Sequence, residues 1–171
     1  FTFDQSDLRN VRRQPAKGEV KQQLIKKTAP VQKVIVQRGT RITSKTTHVG
    51  SAYKGVSRIK TYDFTHRDVP AAFEGFRIAF VSDLHYKSLL KEEGLKDLVR
   101  LLIDQKADVL LIGGDFHEGC QYVPPVMAAL AQVKTPLGTS AVVGDNGYEA
   151  GYGDIVRAMR HYGLHRLGEK V

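Results

Sequence analysis

Cysteine occurs once in these 171 residues, at Cys120, so neither an internal disulfide framework nor a cysteine-based zinc knuckle can form. No apolar run approaches the ~18 residues that a membrane span requires. Acidic residues are scarce early in the chain. Residues 1–70 hold 15 Lys/Arg against 5 Asp/Glu, whereas residues 71–171 hold 11 against 13. A basic leading segment favours polyanions or an anionic membrane surface through long-range attraction. Its charges lack the interleaved aromatics of a single-strand binding groove, so nucleic acid is not an expected partner. The plainer reading of this segment is a solvated extension. The chain opens at Phe1 rather than Met and is expected to be a processed or partial product. Any signal peptide or upstream membrane helix would lie before residue 1.

What is present is the composition of a soluble globular protein, 42% hydrophobic and 26% charged, long enough to bury a core. The chain divides near residue 60. Residues 1–60 read as a basic N-terminal extension, partly strand or extended. It contains a polar segment (1–17), a helix-like segment (19–27), a strand candidate at 31–36 and a Thr/Ser/Gly-rich run at 39–57. This region is expected to be extended or mobile, held by contact with the body rather than by its own core. Residues 61–171 form the body, entered through strand-like 59–65 and Val69-Pro70.

From Phe76 the pattern alternates strand with helix. Residues 77–82 (Arg-Ile-Ala-Phe-Val-Ser) are a short apolar run of the kind buried on both faces. Leu95, Leu98, Val99, Leu102 and Ile103 repeat at helical spacing through 92–105. Residues 108–112 (Asp-Val-Leu-Leu-Ile) are a second strand, 124–133 a helix with proline in its first turn, and 140–143 a third strand. Residues 154–162 are a last helix closed by Gly163, and a further strand is expected to begin only where the chain stops. Such alternation argues for an α/β layer with neighbouring parallel strands.

All three strands end in polar clusters, at the carboxyl edge where open α/β sheets place ligands. The clusters are Asp83-Leu84-His85, Gly114-Asp115 and Gly144-Asp145-Asn146. Alternation along an extended backbone would send Asp83 and His85 to one side, within reach of one ion. Carboxylate and imidazole suit Zn, Mn or Fe. Each cluster alone also reads as an ordinary turn. Their recurrence at one edge raises the metal reading to equal standing with the turn reading. His161 and His165 are four apart, but Gly163 breaks the helix between them, and both read as surface histidines; His48, His66 and His117 are isolated.

The segments Arg77-Ile-Ala-Phe-Val-Ser-Asp83-Leu-His85, Ala107-Asp-Val-Leu-Leu-Ile-Gly-Gly-Asp115-Phe and Ala141-Val-Val-Gly144 resemble the opening blocks of calcineurin-like metallophosphoesterases. The lead-in Asp68-Val-Pro-Ala-Ala-Phe-Glu-Gly75-Phe is similar to that of a bacterial, often exported or membrane-associated branch. This favours an exported or membrane-associated location over the cytoplasm. The resemblance runs from about Val69 to the C-terminus. It implies a layered sheet with flanking helices, here incomplete at its C-terminal side.

It also implies that Asp83 and His85 hold a first metal, that Asp115 bridges two, and that the third block binds the second. Where the family reads Gly-Asn-His, this chain reads Gly144-Asp145-Asn146. Asp145 stands at the Asn ligand position and can still bind metal. Asn146 stands at the position of a catalytic histidine and supplies no proton at neutral pH. The family's later histidine blocks do not occur before Val171. The implied function is hydrolysis of phosphate mono- or diesters by water activated between two divalent ions (Mn, Zn or Fe). The alternative is a weak or inactive metal-binding scaffold. Expected partners are a phosphorylated substrate and, through residues 1–60, an anionic membrane surface. One face of the sheet is expected to lack cover, so that the chain self-associates, packs on another polypeptide or shields the face with residues 1–60.

Overall fold

A computed structural model of the chain describes residues 32–37, 39–144 and 151–168. The helix-like segment 19–27 lies outside these. Two sheets are present among the described residues. The first is an antiparallel meander of β1 (Gln32–Gln37), β2 (Thr40–His48) and β3 (Arg58–Thr65). Gln37 pairs with Thr40 across a two-residue connection, and Gly39 takes the left-handed conformation there, with φ 80°. Nine residues of the Thr/Ser-rich run, expected to be extended or mobile, form the extended strand β2. Its four threonines and one isoleucine are β-branched residues, which suit a pleated surface. A division drawn at residue 60 falls within β3, and the meander takes in residues from both sides of it.

The β2–β3 connection ties the meander to the body. The backbone N–H of Lys54 donates to Asp97 at 2.6 Å, and the Lys54 ammonium pairs with Glu93. Arg100 stacks over Tyr53 at 4.8 Å. Gly55 sits against Gly94, where a Cβ on Gly94 would stand 3.1 Å from the Lys54 carbonyl.

The body holds a parallel sheet of β4 (Ile78–Val81), β5 (Val109–Ile112), β6 (Thr139–Ala141) and β7 (His165–Arg166), in that spatial order. Helices α1 (Glu92–Asp104), α2 (Val123–Leu130) and α3 (Tyr152–His161) make the crossovers. α1 begins with Glu92 and Glu93, whose charge suits a helix N-terminus, and α2 carries proline in its first turn. The expected α/β layer with flanking helices is therefore present. The strand expected only after the chain's last residue is already there as β7, two residues long behind left-handed Gly163.

Sequential strand order has a consequence for packing. Right-handed crossovers that always step the same way put every helix on the same face. Leu110 and Ile112 of β5 and Ala141 of β6 are buried there, against Leu98 and Leu102 of α1, Val126 and Met127 of α2, and Ile155 and Met159 of α3. Among the described residues no helix covers the other face. Ile78 is 59% and Phe80 66% exposed, and Val142 is exposed beside them. The expectation that 77–82 is buried on both faces is corrected accordingly: alternation along β4 sends Ala79 and Val81 toward the core and Ile78 and Phe80 out.

Candidate metal centre

Three side chains converge at the carboxyl edge of the parallel sheet. Asp83 follows β4 by two residues, His85 by four, and Asp115 follows β5 by three. One ligand atom from each lies within 4.8 Å of those of the other two. Donors at about 2.0–2.2 Å around a tetrahedral ion stand about 3.3–3.6 Å apart, so closing the cluster on an ion takes side-chain movements of up to about an ångström. Two carboxylates and an imidazole form a mixed O/N set suited to a divalent transition metal.

The convergence does not come from strand alternation. Asp83, His85 and Asp115 adopt φ of 55°, 41° and 52°, in the left-handed region that costs a residue with a side chain about 1–2 kcal/mol. Only two other described non-glycine residues, Lys87 and Lys106, have positive φ. Backbone strain concentrated on the three candidate ligands marks a site whose surroundings hold it in shape. Asp83 and His85 come together because the chain coils tightly after β4.

Hydrogen bonds carry the pairing of β4 and β5 beyond the strands. The N–H of Asp83 donates to Gly114 at 3.2 Å, that of His85 to Asp115 at 3.0 Å, and that of Tyr86 to Phe116 at 2.9 Å. Glu118 N–H returns to Tyr86 at 3.2 Å. Beneath this ladder Tyr86 and Phe116 are buried. The third strand approaches equally closely. Asp115 N–H donates to Val143 at 3.4 Å, and a Cβ on Gly144 would collide with the backbone nitrogen and Oδ1 of Asp115. Glycine at 144 is what lets the backbone after the third strand come this close to Asp115.

Two side chains complete the surroundings. Ser82 Oγ donates to Asp83 Oδ2 at 2.6 Å, and His85 Nδ1 lies 2.6 Å from Glu118 Oε1. Sequence reasoning singled out neither, because their relevance depends on which loop residues face each other. His117 is buried, its Nδ1 accepting the Gly119 N–H at 3.1 Å. Burial pushes its imidazole below the ordinary value, against a weaker upward pull from Glu118 and Asp115. Asp145 and Asn146 lie outside the described residues. His161 and His165 are exposed and stand apart from the cluster.

No family model and no solved structure matches the chain. Two curated proteins do. An uncharacterized metallophosphoesterase of Aquifex aeolicus is 28% identical over 116 residues, 67% of this chain and 44% of that protein. The uncharacterized metallophosphoesterase YkuE of Bacillus subtilis is 28% identical over 91 residues, 52% of this chain and 32% of that protein. The chain spans less than half the length of either relative. The chain is thus similar, over part of its length, to two proteins named as metallophosphoesterases.

Proposed function

We propose that the chain carries one half of a two-metal phosphoesterase site, with Asp83 and His85 on the first ion and Asp115 shared between both. The observation that carries this reading is the meeting of three donors on three left-handed residues at one sheet edge. The donor set fits the group. When bound, divalent cations supply charge to phosphoryl oxygens and a more acidic water. The chain's own residues then have defined tasks. Ser82 orients the Asp83 carboxylate through its hydroxyl, the β4–β5 ladder fixes the backbone of all three donors, and Gly144 leaves room for the backbone after the third strand. Asp145 adds a further carboxylate from the third block, toward the second ion. Mn, Zn or Fe fits this chemistry, and the substrate class is a phosphate mono- or diester.

A second reading is favoured by one residue. Asn146, at the position of the family's proton-supplying histidine, fits a scaffold that binds metal and turns over slowly. This chain alone is expected to turn over negligibly on either reading. Metal analysis and a chromogenic phosphodiester assay in added Mn, run on the longest expressed form of the protein beside this chain, therefore separate the two. At least one transition-metal ion per chain with brisk hydrolysis supports the enzyme, and metal with negligible hydrolysis supports the scaffold. A chain that neither retains metal nor melts higher with Mn or Zn sinks both.

The basic residues of 1–60 favour an anionic phospholipid surface, and an exported or membrane-associated location agrees with that. Among the described residues no helix is long and apolar enough to cross a membrane. The exposed apolar face of the parallel sheet favours self-association, since exposed apolar patches beyond a few hundred Å² rarely stay uncovered. Light scattering is expected to give a mass above the 19.0 kDa of one chain, and Phe80→Lys to return it toward that value. A monomeric wild type at high concentration would remove this proposal.

A further inference from the structure

We infer that Glu118 is a positioning residue that sets which nitrogen of His85 is presented to the metal. This rests on the metal reading above and goes beyond it. An ionised carboxylate only accepts hydrogen bonds. With Glu118 Oε1 at 2.6 Å, His85 Nδ1 must therefore be the donor. A neutral imidazole carries one N–H, so Nε2 keeps its lone pair and becomes the ligand atom. Histidine ligands commonly bind metal in this way, with the other ring nitrogen tied to a carboxylate.

The backbone explains why Glu118 is available for the task. Residues 83–86 and 114–118 are laced by the four hydrogen bonds that continue the β4–β5 pairing. The last, from Glu118 N–H to Tyr86, sets Glu118 opposite the residue after His85. Gly119, at φ 116°, then turns the chain away, a conformation that glycine alone adopts readily. The loop position, and not chance rotamer contact, delivers the carboxylate. The imidazole is mostly covered while the carboxylate is about half exposed, with side-chain exposures of 22% and 45%. Replacing Glu118 therefore leaves the core intact.

An ordinary loop ion pair would place the same two groups side by side, and the test distinguishes it. Three forms of the chain are compared: wild type, Glu118→Gln and Glu118→Ala. Nitrogen-15 NMR of the metal-free chains at a pH where His85 is neutral reads the tautomer. Mn and Zn affinities are read by competition with a chelator. The wild type is expected in the Nδ1–H form. Glu118→Gln, whose amide oxygen still accepts the hydrogen bond, is expected to keep that form and most of the affinity. Glu118→Ala is expected to shift toward Nε2–H and to bind metal about 10–100-fold more weakly, the usual cost of losing an outer-shell partner. If Glu118→Ala keeps the wild-type tautomer and affinity, the inference is overturned. So is it if Gln fails as badly as Ala in both measurements, since charge pairing alone would then explain the contact. His85→Ala serves as the reference for the metal reading itself. Wild-type affinity in His85→Ala defeats that reading, whereas a large loss there with none in Glu118→Ala defeats only the positioning role.

Discussion

Asp115→Asn is expected to lower Mn and Zn affinity by more than about 100-fold, beyond the ~10–100-fold typical of losing an outer-shell partner. Asp115 sits at φ 52°, in the left-handed region where Asp and Asn are both tolerated better than most residues. The exchange thus preserves shape and backbone while removing a negative charge and one of two anionic oxygens. The hydrogen bonds that Asp115 makes through its backbone, to Val143 and from His85, are untouched. Loss of metal is then a statement about the carboxylate rather than about folding. At metal 100-fold above the wild-type Kd, linkage stabilises the wild type by about 2.7 kcal/mol, and a 100-fold weaker variant by only about 0.4 kcal/mol. For a chain of this size the difference is a melting shift of roughly 5–9 °C. Calorimetry with and without Mn, beside metal analysis, reads both quantities. Equal metal content in wild type and variant, with equal thermal gain, would show that Asp115 is not a ligand.

Much of the body was legible because its signals are local. Leu95, Leu98, Val99 and Leu102 repeat at helical spacing, and the helix expected over 92–105 forms as Glu92–Asp104. The apolar run at 108–112 forms β5 at Val109–Ile112. Strand-end clusters are also local, and the structure gathers Asp83, His85 and Asp115 at one edge. The means of gathering was not legible. Asp and His carry no sequence sign that they will turn left-handed; the backbone does so here because the β4–β5 ladder extends past the strands and closes the loops on each other. Glu118 was missed for the same reason, since its partner is 33 residues away and only register brings them together. The exposed sheet face needed the strand order, which fixes where right-handed crossovers put the helices. Within the Thr-rich run β-branching prevails over polarity, and β2 has a partner strand on each side to satisfy its backbone.

Asn146→His is expected to raise phosphodiester turnover by about 10²–10⁴-fold, the usual contribution of a well-placed general acid. The argument begins with chemistry at the third strand end. Cleaving a phosphate ester leaves an alkoxide that must gain a proton, and an amide cannot release one near neutral pH. Imidazole, with an ordinary pKa near 6.5, can. Residue 146 comes two positions after Gly144, which is left-handed and lies against Asp115. The pH dependence carries a sign. A general acid works in its protonated form, so the gain should be fullest below about pH 6.5 and decline as pH rises through the imidazole pKa. A histidine that merely added a metal ligand would do the opposite, because only the neutral ring binds metal. The variant should be made in this chain and in the longest expressed form of the protein, with metal content measured in each. A rate that is unchanged or lower at equal metal content would mean that another group protonates the leaving oxygen, or that residue 146 does not face the substrate.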